Sequence, residues 1–193
     1  MAAIAELWTY GKYLTLDDDT RCEIIEGDLS MTPAPGFGHQ SISAELEFIL
    51  MKFIKENGLG FLVTAPTDVV LSDENVVQPD ILYIARARRA IIKERGVFGP
   101  PDLVVEIISP SSHYRDVHVK KALYERLGVA EFWIVNPYMK AVEVLVLNAE
   151  GRYELFSDGC LMADDRKRVI SRVIDGLTVD LNAIFTESFT AEG

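Results

Sequence analysis

A mixed α/β fold, with strands and helices interleaved along one chain, is what the 193 residues predict. Three stretches carry that expectation. Residues 103–108, LVVEII, are rich in Val and Ile and bounded by prolines, so they read as a buried strand. Residues 115–127 place apolar side chains at helical spacing and stop at Gly128. Residues 41–54 do the same through Ile42, Leu46, Ile49, Leu50 and Phe53, and stop at Asn57-Gly58. No repeat, low-complexity tract or linker divides the chain, so one domain over residues 1–193 is expected, long enough to bury a core.

The other elements follow in order. Leu14 to Asp19 suggests a short helix start or loop with a capping acid. Cys22 to Met31 reads as a hairpin turning at Glu26-Gly27-Asp28. Residues 32–38, rich in Pro and Gly, form a loop that delivers His39 to the start of the first long helix. Gly60 to Leu71 reads as one long strand or two short ones, with Pro66 at a bend or edge. Val76 to Ala85 reads as a strand entered irregularly at Pro79-Asp80. Residues 86–100 form a charged, partly helical crossover. Glu131 to Val135 is a strand with Trp133 in the core. Lys140 to Leu147 and Arg152 to Phe156 make a hairpin, Val169 to Val173 a further strand, and Leu181 to Phe185 a terminal helix.

Two charges interrupt this pattern. Side chains alternate along a strand, so Asp102, Val104, Glu106 and Ile108 share one face, and Glu106 points into an apolar layer. On the helix that follows, Val117, Val119, Leu123, Tyr124 and Leu127 form an apolar arc with Lys120 near its middle and Asp116 one turn earlier. Lys121 falls at the edge, where an i,i+4 pair with Glu125 suits it. Buried charges are costly unless paired or metal-bound, so the residues leave open a structural Glu–Lys pair and a functional cluster. A metal site needs acids from separate elements, and Asp80 on a neighbouring strand is a fitting partner for Glu106. Asp102 is not, because four residues of strand separate it from Glu106 by roughly 13 Å.

Composition narrows the classes. No stretch approaches a membrane span, and the first residues lack the pattern of a signal peptide. Cys22 and Cys160 fit neither a metal spacing nor a disulfide framework, which points to a reducing cytoplasm. A net charge of −11, from 30 acids and 19 bases, argues against a broad nonspecific nucleic-acid surface but does not exclude a local basic cleft. The basic runs at 86–95 and 166–168 read as solvated faces. His113 and His118 read as surface residues, and Ser109, Ser111 and Ser112 have no base at a readable spacing.

Taken together, Pro79-Asp80, the run PDLVVEIISPS from Pro101, Arg115-Asp116, Lys120, Tyr124, Gly128-Val129, Glu131-Phe132-Trp133 and Asn136-Pro137 resemble the Uma2 family, a branch of the restriction-endonuclease-like PD-(D/E)XK superfamily. Glu23 to Gly27, Pro33-Ala34-Pro35 and His39-Gln40 agree with it, and the resemblance runs from about Cys22 to Leu147. It implies a mixed central β-sheet flanked by helices, a restriction-endonuclease-like core with an added N-terminal β-hairpin. It implies Asp80 and Glu106 as ligands of Mg²⁺ or Mn²⁺, with a backbone carbonyl near Ile107 as a third, and Lys120 as the catalytic lysine. In the superfamily pattern that lysine follows the acid by two residues, where this chain has Ile108; migration to the helix is a feature of the Uma2 branch. Asp116 and Tyr124 are then expected to position Lys120, and Glu23 and His39 to approach the site. The implied activity is metal-dependent hydrolysis of DNA phosphodiester bonds, with a homodimer suited to cutting both strands. The alternatives are a non-catalytic or regulatory protein that keeps the charged cluster for stability or a partner, and a glycosidase-like carboxylate pair, against which the inward lysine counts.

Overall fold

A computed structural model of the chain describes residues 7–17, 20–109, 115–163 and 165–186, without the side chains of Arg115 and Asp116. In chain order the elements are α1 (Tyr10–Tyr13), β1 (Cys22–Ile25), β2 (Asp28–Met31), α2 (Phe37–Glu56), β3 (Gly60–Thr64), β4 (Val69–Ser72), β5 (Asn75–Val77) and β6 (Ile81–Ala85). A turn of 3-10 helix (Arg86–Ile91) leads to β7 (Ile92–Lys93), β8 (Gly96–Phe98) and β9 (Leu103–Ile107). A π-helical turn (Arg115–Lys120) runs into α3 (Lys121–Leu127), and then come β10 (Glu131–Asn136), β11 (Ala141–Leu147), β12 (Tyr153–Cys160), β13 (Arg168–Ile170), β14 (Thr178–Asp180) and α4 (Leu181–Ile184).

The mixed sheet predicted from the sequence is six-stranded, in the order β12-β11-β10-β9-β6-β3. β9 and β10 run parallel and every other neighbouring pair is antiparallel. Parallel neighbours need a crossover, and the π turn with α3 supplies it. Alternation along β9 then sorts the layers. Leu103, Val105 and Ile107 pack with Ile42, Leu46, Leu50 and Ile54 of α2. Val104 and Ile108 face the other way, onto Leu123 and Tyr124 of α3 and onto Ile25, Val69, Val77 and Val97. Those last four belong to a second six-stranded sheet, β2-β1-β5-β4-β8-β7. Glu106 lies on this second face, between sheet and sheet.

Some expectations hold and others need correction. The added N-terminal hairpin forms as expected around Glu26-Gly27, whose φ values of 55° and 78° suit a two-residue turn, and β1 also pairs with β5 and so joins the second sheet. The run from Val76 to Ala85 is two strands, because Pro79 offers no amide to a ladder; β5 ends at Val77 and β6 begins at Ile81, with Asp80 in the break. Residues 60–71 take the second of the two expected forms, two short strands, β3 entering the central sheet and β4 the second one. The first short helix precedes Leu14 and is capped by Thr9, not by an acid. The long helix starts at Phe37, so His39 lies in its first turn. The segment 115–127 opens with six π-helical residues before it becomes α-helical. Glu125 does not pair with Lys121; its carboxylate accepts from Arg152 at 3.0 Å and from the Tyr153 amide at 2.7 Å.

One buried acid fixes how the C-terminal segment meets the sheet. Glu131 is fully buried at the start of β10 and accepts from Trp133 Nε1 (2.7 Å), Ser171 Oγ (2.7 Å) and the amides of Arg172 (2.6 Å) and Val173 (3.0 Å). Removing the carboxylate strands four donors, two of them buried and two part-buried, so Glu131→Ala should lower the unfolding free energy by about 3–5 kcal/mol in urea denaturation. Glu131→Gln, which keeps the volume and one carbonyl acceptor, should lose less.

Candidate active site

The strand register brings two acids together. β6 and β9 are antiparallel with Ile81 opposite Val105. One step further along the same register sets Asp80 opposite Glu106, and directly opposed residues share a face. Because the strand is interrupted at Pro79, the Asp80 carboxylate turns onto the β9 backbone. Its Oδ2 accepts from the Ile107 amide at 2.7 Å and lies 3.2 Å from His39 Nε2. The Asp80 side chain stays 20% exposed, so the rest of its carboxylate faces the cleft.

Lys120 closes the other side. Its Nζ lies 2.9 Å from Glu106 Oε1 and 2.9 Å from Glu23 Oε1. The Tyr124 hydroxyl donates to the same Glu106 oxygen at 2.7 Å, and the Gln78 amide donates to Glu23 Oε1 at 2.8 Å. Glu23, Glu106 and Lys120 are all buried, at 1%, 3% and 5% exposure, deep enough that each charge depends on its partners. Lys120 and Tyr124 stand one helical turn apart, which is why both reach one oxygen. The π turn that ends at Lys120 is a rare form found frequently at functional sites.

Lys120, Glu23, Glu106, Asp80 and His39 line one cleft of about 450 Å³, walled on the far side by the β1–β2 hairpin and the loop after it. Asp102 lies elsewhere: it accepts from the Ala85 amide at 2.8 Å and pairs with Arg88 at 3.1 Å. Lys121 lies outside the cleft lining, half-buried on the neighbouring face of α3. The side chain of Asp116, expected to position Lys120, falls outside the described residues, as do His113, Ser111 and Ser112. Ser30 and Gln78 also line the cleft, and nothing in the sequence singled them out. Gln78 was discoverable in part, since it directly precedes Pro79-Asp80, where any amide must find a partner off the ladder.

Among the described residues no three His, Cys, Asp or Glu side chains converge into a ready cage for a metal. The arrangement is a pair of carboxylates on adjacent strands at an open cleft. That donor set fits a hard cation such as Mg²⁺, which binds through one or two carboxylates and completes its octahedron with waters and substrate phosphate.

A family model described as Uma2, "putative restriction endonuclease", matches residues 10–181, a longer span than the motifs alone cover. No curated protein matches the chain at a significant level. Among solved structures, a protein from Anabaena variabilis described as a putative nuclease belonging to DUF820 superposes with a TM-score of 0.74. It is 19% identical, over 92% of this chain and 97% of that one, a likeness of fold.

The burial of the cluster gives a stability test. Lys120→Met leaves two buried carboxylates facing each other without a cation, and should cost about 3–5 kcal/mol in metal-free denaturation. Lys121→Ala should stay within about 0.5 kcal/mol of the parent. Equal losses would mean that the charged cluster does not hold these elements together.

Proposed function

The chain belongs to the Uma2 family, and from that premise we propose that it is a metal-dependent endonuclease that hydrolyses DNA phosphodiester bonds in the cleft between Asp80, Glu106 and Lys120. The observation that carries the reading is the meeting of a buried lysine with an acid pair that the strand register sets side by side at the wall of one cleft. Asp80 and Glu106 would hold the Mg²⁺ or Mn²⁺ ion. Such an ion, when bound, polarises the phosphate and lowers the pKa of a water on it.

The protein's own groups divide the remaining work. His39 and the Ile107 amide fix one oxygen of Asp80 and leave the other side of the carboxylate towards the cleft. Tyr124 and Lys120 fix Glu106 from the helix side. Lys120, itself restrained by Glu23, presents an ammonium to the charge that develops on the phosphate, where a prepositioned donor is worth more than in water. A homodimer, offering one such site to each strand of a duplex, belongs to the same proposal.

One observation favours a second reading. Lys120 contacts two carboxylates rather than one, so its charge is balanced without any ligand. A non-catalytic protein that keeps the cluster as a staple between sheets would look the same in this respect.

Titration of Mg²⁺ and Mn²⁺ against a supercoiled plasmid separates the two. On the nuclease reading, nicking or linearisation appears with metal, disappears with EDTA, and falls by at least about a hundredfold in Asp80→Asn, Glu106→Gln and Lys120→Ala. Metal should also stabilise the fold, by about 2.7 kcal/mol at a hundred times Kd, and so raise the melting temperature. No cleavage and no metal-dependent stabilisation would leave the staple.

A further inference from the structure

The hairpin wall of the cleft carries a second cation that nothing above uses. The Thr32 amide donates to the Arg21 carbonyl at 2.9 Å, which continues the β1–β2 pairing one step past Cys22 and Met31. Arg21 and Thr32 are therefore opposed residues with side chains on one face. Two residues further along each strand, on the same face, stand Glu23 and Ser30. All four line the cleft. Arg21 Nε and Thr32 Oγ1 are buried yet have no hydrogen-bond partner among the described residues. Buried donors without partners are rare and call for an explanation, such as a ligand that supplies the missing acceptor.

The position says which ligand. Glu23 touches Lys120, and Arg21 is two strand residues away, roughly 7 Å along β1. That is about one step along a nucleic-acid backbone from the phosphate that Lys120 would face. Beyond Arg21 the surface continues into a neighbouring cleft of about 680 Å³, which shares Arg21 and Gln78 with the first and adds Lys93 and Arg95 together with Asp17, Asp68 and Glu94. We propose that Arg21 and Thr32 form a subsite for the backbone phosphate next to the one that is cut, Arg21 donating through its guanidinium and Thr32 through its hydroxyl. The subsite rests on the nuclease reading for its placement, but it predicts binding as well as cleavage. Arg21 sets the register of the strand by holding an adjacent phosphate, and touches no reacting atom.

The test is binding of a short fluorescein-labelled DNA duplex, and of its single strand, by anisotropy in Ca²⁺ at several salt concentrations, beside thermal melts and Mg²⁺-dependent cleavage. Arg21→Ala should weaken binding roughly tenfold to a hundredfold and reduce the salt slope by about one. Arg21→Lys should recover the slope and part of the affinity, and Thr32→Val should weaken binding with no change of slope. The melting temperature of Arg21→Ala should not fall, since a buried donor without a partner is removed. Unchanged affinity in Arg21→Ala would overturn the subsite. So would no binding by the parent, or a lower melting temperature in Arg21→Ala with no recovery in Arg21→Lys, which would make Arg21 structural. Arg21-dependent binding without cleavage by the parent would sink the nuclease reading and leave the subsite standing.

Discussion

The ammonium of Lys120 is where three separately built parts of the molecule are obliged to meet. Removing an ion from water costs several kcal/mol unless opposite charge and hydrogen bonds replace the solvent. Lys120, Glu23 and Glu106 are all almost fully buried, so none of them can settle without the others. Glu106 belongs to the middle of the central sheet, Glu23 to the second sheet and Lys120 to the crossover helix. The apolar contacts between the sheets would tolerate sliding by a fraction of a residue; the charge cluster does not. It sets the hairpin at one height along β9 and the helix at one rotation about its axis.

The helix shows how tight that condition is. Tyr124 and Lys120 both end on Glu106 Oε1, which requires them to be on one side of the helix, a turn apart. A register shift of one residue would put Lys121 there and carry Tyr124 off the oxygen. Leu123 and Tyr124 are meanwhile buried against Phe132, so the shift would also expose apolar surface. Gly128 then ends α3 in the left-handed region, at φ 84°, and lets the chain drop into β10 beside β9. Packing and electrostatics select the same rotation.

Much of this could be read in the sequence because each key residue breaks a local pattern. Glu106 interrupts an apolar strand, Lys120 interrupts an apolar arc, and Asp80 follows a proline that no central ladder accepts. What escaped reading has a physical cause in each case. The strands of the second sheet are two to four residues long, too few alternations to show a period or a buried face. β1 is buried at all four positions, so its sequence could not say that Glu23 points to the helix. The π turn spans six residues, and the extra residue in its i→i+5 turn does not disturb the spacing of Val117, Val119 and Leu123 enough to be seen. Glu131 is a buried acid like Glu106, yet at the first residue of a strand it looks like any polar boundary. Its partners Ser171, Arg172 and Val173 lie some forty residues away, where local reasoning has no reach.

Charge counting in the cleft reconciles an acidic protein with a polyanionic substrate. The overall charge of −11 acts weakly at the site, because fixed charges beyond about 8 Å are screened at physiological salt. What a phosphate meets is the lining: three carboxylates, from Glu23, Asp80 and Glu106, against two cations, Lys120 and Arg21. Leaving His39 aside, these five side chains sum to one net negative charge, and one phosphodiester brings a second. A divalent cation offsets that sum, whereas a monovalent one would leave a net repulsion in a partly desolvated cleft. On the proposed reading, then, metal dependence is more than a requirement of the hydrolytic step. The same charge balance favours entry of the phosphate, so that metal and substrate should bind with mutual reinforcement.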